Sequence, residues 1–144
     1  MLFRSYNRLR ITAGPEEMWR SSSPVGGGGY LKLELVRYII RDGMSKFFSM
    51  EPTPLAIDLD GDGVDEVLVP QNIVKEGLLA VVFKGPAGFR LQSIDTGFEG
   101  TITALGGFKT DDVTQPTIIA TVVRYKNIFK SQAETQVIMT VPQE

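Results

Sequence analysis

Hydrophobic residues recur along this chain at every second position, in short runs broken by glycine and proline, and no stretch shows the spacing of an amphipathic helix. The cleanest run begins at Tyr30. Leu31, Leu33 and Leu35 share one face while Lys32 and Glu34 share the other, as in a half-buried strand. Val36, Tyr38 and Ile40 continue on the opposite parity, so a bulge is expected near Leu35 and Val36. Asp42-Gly43 signals a turn, and Lys46 to Met50 is expected to return as the partner strand, making residues 30 to 50 a hairpin.

The same reasoning predicts strands from Leu9 to Thr12 and from Glu17 to Ser21 around a Gly14-Pro15 turn. It predicts others at Leu55 to Ile57, Val67 to Val69, and Gly77 to Phe83 with Phe89 to Ile94 around the turn at 84–88. Thr101 to Leu105, Thr117 to Val123 and Thr135 to Val141 complete the series. The nearly continuous β-branched run from Thr117 to Val123 is expected to be buried on both faces. Between Ser21 and Gly29 four consecutive glycines exclude regular structure, which leaves a loop or a place where two backbones approach closely. A phosphate cradle does not follow there, since no Lys-Ser/Thr comes after the glycines and no helix begins.

The chain therefore reads as all-β, and the strands repeat. Residues 9–22 resemble 78–94, and residues 102–123 resemble 55–69 with insertions and most acids replaced. A repeat offset of roughly 45 residues is in the range of a four-stranded propeller blade. On that reading the chain holds about three blades or blade fragments: hairpins over about 1–53, a blade over 54–98 and a degenerate blade over 99–144. A closed propeller needs at least about four. Either the chain belongs to a larger propeller, or copies associate through unpaired edge strands, or the N-terminal strands fold back beside the C-terminal strand as a sandwich.

Composition narrows the chemistry. Fifteen basic residues against seventeen acidic ones, and a net charge of −2, leave no excess of positive charge for a nucleic-acid backbone. No cysteine and no histidine are present, which removes disulfides, thiolate and imidazole metal sites, and Ser-His-Asp and Cys-His catalysis. A metal must then be held by oxygen, which favours calcium or magnesium. No apolar run approaches the ~20 residues of a membrane span, and the first residues lack the apolar core of a signal peptide.

One segment concentrates charge. Asp58-Leu59-Asp60-Gly61-Asp62-Gly63-Val64-Asp65-Glu66 holds five of the seventeen carboxylates in nine residues, a cluster that repels itself without a cation. Carboxylates at loop positions one, three and five, with glycine at six, are the layout by which a short loop wraps oxygens around Ca2+. Asp58, Asp60 and Asp62 are the expected side-chain ligands, Val64 offers its carbonyl at position seven, and Glu66 stands at position nine. An EF-hand is excluded: position twelve is Val69, followed by Pro70, and both flanks are β-like. The alternative is a solvated acidic turn, since Asp-Gly pairs favour turns without any metal.

Asp-x-Asp-Gly-Asp-Gly-x-x-Glu, entered from Leu55-Ala56-Ile57 and left into Val67-Leu68-Val69, resembles the calcium loop of FG-GAP/VCBS repeats, known from integrin α-chain propellers and bacterial surface or periplasmic proteins. Trp19-Arg20-Ser21-Ser22 before the glycines, and the hairpin after Gln71-Asn72, are similar to the bacterial members. The resemblance implies a mainly structural calcium site at Asp58, Asp60, Asp62, Val64 and Glu66, linking the first two strands of a blade. It also implies a cell-surface, extracellular or periplasmic setting and a role in adhesion, with a protein or carbohydrate ligand. The next loop, 107–115, keeps only Asp111 and Asp112 and is expected to bind no metal.

A non-catalytic calcium-binding module is therefore the expected function. A calcium-dependent polysaccharide lyase or hydrolase would need acids outside the loop, and Glu16, Glu34, Glu51 and Glu99 are scattered. A calcium-responsive switch would need a large change of shape. Trp19 reads as a packing residue rather than a ligand platform, and Tyr30, Tyr38, Phe47 and Phe48 as alternate burial rather than a sugar-binding face. Arg124, Lys126 and Lys130 form a small basic patch on a solvated loop.

Overall fold

The computed structural model describes residues 8–27, 29–33, 46–73, 76–110, 115–126 and 132–140. Among these there is no helix. The strands are β1 (Arg10–Ala13), β2 (Glu16–Arg20), β3 (Gly29–Leu33), β4 (Lys46–Met50), β5 (Leu55–Ile57), β6 (Glu66–Asn72), β7 (Glu76–Gly85), β8 (Gly88–Glu99), β9 (Thr101–Phe108), β10 (Thr117–Tyr125) and β11 (Ala133–Met139). They form two hairpins, β1-β2 and β3-β4, a four-stranded sheet β5-β6-β7-β8 and a three-stranded sheet β9-β10-β11, every named strand pair antiparallel. Up-and-down sheets of this kind, none closed into a barrel, are consistent with propeller-like fragments.

β9-β10 opens its sheet as β5-β6 opens the other, whereas β1-β2 is a two-stranded sheet of its own and β7-β8 are the last two strands of the four-stranded one. The expected hairpin after the glycines forms, with Leu33 opposite Lys46, whereas the bulge expected at Leu35 and Val36 and the turn at Asp42-Gly43 lie outside the described residues. Among the described residues β1 pairs only with β2 and β11 only with β10, so the N-terminal strands do not fold back beside the C-terminal one.

The four-stranded sheet is covered on both faces. On one, Val69, Ala80 and Val82 form a buried cluster against which Ile11 and Trp19 of the first hairpin pack, together with Leu9 and Val25. Trp19 meets Phe89 with ring centroids 6.3 Å apart and planes tilted by 50°, so it is a packing residue as expected. Ser21 closes the hairpin's open end: its amide donates to the Leu9 carbonyl at 2.9 Å, and its hydroxyl accepts the Leu9 amide at 3.0 Å.

On the other face β9 lies against β5, β6 and β7, and Leu68, Ile102, Ile118, Ala120 and Val122 are buried. Two glycines let the sheets meet: a Cβ on Gly77 would stand 2.7 Å from Ile102 Cγ1, and one on Gly107 would stand 2.8 Å from Ile57 Cδ1. The Asn72 side chain joins the sheets through polar atoms. Its Nδ2 donates to the Ile102 carbonyl at 2.9 Å while its Oδ1 accepts the Ile102 amide at 2.8 Å.

Two expectations change. β6 runs through Pro70 to Asn72 instead of stopping at Val69, because Pro70 lies beyond the end of β5, where the missing N–H breaks no ladder bond. That vacant edge is taken by the glycine segment: the Gly26 amide donates to the Pro70 carbonyl at 2.7 Å and the Gly26 carbonyl accepts the Asn72 amide at 2.8 Å, a parallel bridge. Here two backbones do approach closely, since a Cβ on Gly27 would fall 2.8 Å from the Asn72 carbonyl oxygen. Finally, β10 is buried on one face only. Ile118, Ala120 and Val122 point inward, while Ile119, Thr121 and Val123 remain partly exposed.

Candidate metal centre

The acidic loop connects β5 to β6, two strands that pair through Ile57 and Glu66. Its path is set by its own side chains. Asp58 Oδ1 accepts the Gly61 amide at 2.7 Å, Asp60 Oδ1 accepts the Asp62 amide at 3.1 Å, and Asp62 Oδ1 accepts the Val64 amide at 2.7 Å. These are the short Asx turns that aspartate favours, and Gly61 and Gly63, at φ 82° and 85°, supply the left-handed residues between them. Gly63 has open space where a Cβ would go, so backbone conformation, and not crowding, selects glycine there.

Glu66 opens β6 with 9% exposure, and its Oε2 accepts the Leu59 amide at 2.8 Å, which clamps the start of the loop to its end. In consequence oxygens of Asp58, Asp60 and Glu66 lie within 4.8 Å of one another. Two oxygens on one Ca2+, each at about 2.3–2.6 Å, are at most about 5 Å apart, so this donor set fits that ion in spacing and in its all-oxygen chemistry. Of the other expected ligands, Asp62, whose Oδ1 accepts the Val64 amide, is not in this group.

A cation from the neighbouring sheet reaches the loop. Lys109, just past β9, places Nζ 3.3 Å from Asp58 Oδ2. β9 packs against β5, which brings Lys109 beside the start of the loop. Sequence spacing alone did not reveal it. The rest of the 107–115 loop, with Asp111 and Asp112, lies outside the described residues.

Burial would raise the Asp58 carboxyl, but the Gly61 amide, Lys109 and the Gly63 amide outweigh it and hold Asp58 below the usual aspartate range. A group depressed in the folded state stabilises above its unfolded pKa, and that contribution disappears as pH falls through the folded value. In chelator, the fall in melting temperature from pH 6 to pH 3 should therefore be smaller in Asp58→Asn than in the parent. Equal falls would mean that the folded chain does not favour the ionised form.

Lys109 also neutralises part of the charge a divalent ion would meet. Lys109→Met is expected to tighten calcium binding by about 1.5- to 5-fold, the size of an exposed ion pair. Calorimetric titration of both proteins reads this directly, and weaker binding in the variant would reverse the assignment.

Other candidates are engaged elsewhere. Glu51 Oε2 accepts the Gly27 amide at 2.9 Å, and Glu99 pairs with Arg124 at 3.0 Å. Glu16 is exposed on β2, and Glu34 lies outside the described residues. The expected basic patch is matched by acids, since Lys126 pairs with Glu134 at 3.2 Å as Arg124 does with Glu99, and Lys130 lies outside the described residues. So do the Tyr38 position and the side chains of Tyr30, Phe47 and Phe48. Comparison of the chain with known proteins finds no matching family model, no matching curated protein and no matching solved structure.

Proposed function

We propose that this chain is a non-catalytic, calcium-binding repeat module of the FG-GAP/VCBS kind, in which the ion braces a strand connection and so supports a surface for a protein or carbohydrate ligand. The observation that carries the reading is the convergence of Asp58, Asp60 and Glu66 oxygens within 4.8 Å on a loop between two paired strands. Asp58, Asp60 and Glu66 would hold the ion, with Asp62 and the Val64 carbonyl completing the set by their loop positions. Bound calcium supplies charge neutralisation to the loop. The chain's own part is to fix three carboxylates through the Leu59, Gly61 and Asp62 amides before any ion arrives.

An affinity of about 10⁻⁴ to 10⁻³ M is expected for such a module, which suits constant occupation outside a cell, at the cell surface or in the periplasm as the family resemblance implies. Calorimetric titration of chelator-stripped protein tests the proposal. One equivalent of calcium should bind the parent and none should bind Asp60→Asn, which keeps the acceptor for the Asp62 amide but loses the charge. Equal binding by the two proteins, or none by the parent, would leave the loop as a solvated acidic turn.

A further inference from the structure

Three Asp-Gly pairs stand in the chain, at 42–43, 60–61 and 62–63; the first lies outside the described residues, and the other two follow each other in the exposed acidic loop. An aspartate before glycine is open to attack by its own backbone, because no Cβ shields the following amide nitrogen from the side-chain carboxyl carbon. A hydrogen bond from that amide restrains the attack. In this loop one side chain accepts both bonds: Asp58 Oδ1 takes the Gly61 amide at 2.7 Å, and Asp58 Oδ2 takes the Gly63 amide at 3.3 Å. The Gly63 bond is the longer, and its acceptor oxygen is shared with Lys109 Nζ, also at 3.3 Å. The carboxyls differ in the same sense. Each folds back over its own glycine, Asp60 to the Asp62 amide at 3.1 Å and Asp62 to the Val64 amide at 2.7 Å. Asp60 also converges with Asp58 and Glu66, whereas Asp62 stands outside that group, and Gly63 has open space where a Cβ would go.

We infer that Asp62 is the residue of this loop that converts to isoaspartate, and that the Asp58 carboxylate is the group that slows the conversion. The Gly63 nitrogen forms a bond to Asp62 Cγ, and a carboxyl oxygen leaves as water with the amide hydrogen and one solvent proton, closing a succinimide ring. Water then opens the ring. Addition at the Asp62 backbone carbonyl breaks its bond to the Gly63 nitrogen and leaves the chain linked through Cγ, while addition at Cγ restores aspartate. The isoaspartyl chain carries one more backbone atom between 62 and 63, inside turns closed by hydrogen bonds between residues only two apart. This inference concerns the ion-free loop and does not depend on calcium.

Warm incubation in chelator, below the melting temperature and in parallel in urea, tests it, with fragmentation mass spectrometry of loop peptides locating the isoaspartate. In urea the two Asp-Gly bonds should react at similar rates. In the folded parent Asp62 should react faster than Asp60 by about 2- to 10-fold, the factor by which a hydrogen bond of ~0.5–1.5 kcal/mol depletes the free amide. Asp58→Ala, whose folding circular dichroism verifies, should speed the reaction at Asp60 by a similar factor and bring the two rates together. Isoaspartate at Asp60 in equal or greater amount in the folded parent, or none at Asp62 after the time that converts the chain in urea, would overturn the assignment of the site. Rates unchanged in Asp58→Ala would overturn the role of Asp58.

Discussion

Asn72→Ala is expected to lower the unfolding free energy by about 2–5 kcal/mol, because it leaves the Ile102 N–H and C=O without partners in a site closed to water. Ile102 is 0% exposed, and its backbone groups receive both bonds from one side-chain amide, at 2.8 and 2.9 Å. The amide behaves as a short extra length of strand laid between two sheets that share no ladder among the described residues. Each buried group deprived of its bond costs about 1–3 kcal/mol, a large part of the ~5–15 kcal/mol that holds a domain together. Urea unfolding followed by circular dichroism measures the change. A loss below ~0.5 kcal/mol would mean that water reaches Ile102 once the side chain is gone, and that packing alone joins the sheets.

Saturating calcium is expected to raise the melting temperature of the stripped protein by about 4–9 °C at ~10 mM. Occupation at ten to a hundred times the dissociation constant is worth about 1.4–2.7 kcal/mol, and a chain of this length gains about 3 °C per kcal/mol. Magnesium should give much less, since it demands a tight octahedron and surrenders its waters reluctantly, whereas calcium accepts a less regular set of carboxylate and carbonyl oxygens. Asp60→Asn should abolish the shift and melt near the stripped parent. A shift shared equally by the two ions, or retained in Asp60→Asn, would show general ionic strengthening and not a site.

Most strands were legible because their alternation is regular and their ends are marked by glycine and proline. The errors arose where tertiary contacts override local signals. Pro70 looks like a terminator, and it is harmless only because β5 has already ended and Gly26 has replaced it. β8 passes the expected end at Ile94 and reaches Glu99, across a glycine, Gly97, whose Cβ would stand 2.7 Å from Leu78. At the acidic loop, spacing pointed to Asp58, Asp60 and Asp62, since a tight turn brings alternate residues together, and the family resemblance added Glu66; the carboxylates that converge are Asp58, Asp60 and Glu66. Asp62 closes the same kind of local turn as Asp60 yet stands outside the group, so the turn itself does not decide which carboxylates converge. Asn72 and Lys109 act on residues 30 and 51 positions away, and no local pattern encodes such a distance.

Trp19 is the chain's single tryptophan, and it sits where the first hairpin meets the four-stranded sheet. Its fluorescence is therefore a local gauge of that junction, on the face of the four-stranded sheet turned away from the three-stranded one. Ultraviolet emission and backbone ellipticity then follow different parts of one molecule. Where the two melting curves coincide, the stack unfolds as a unit; where emission shifts first, the hairpin peels away from a sheet that still stands.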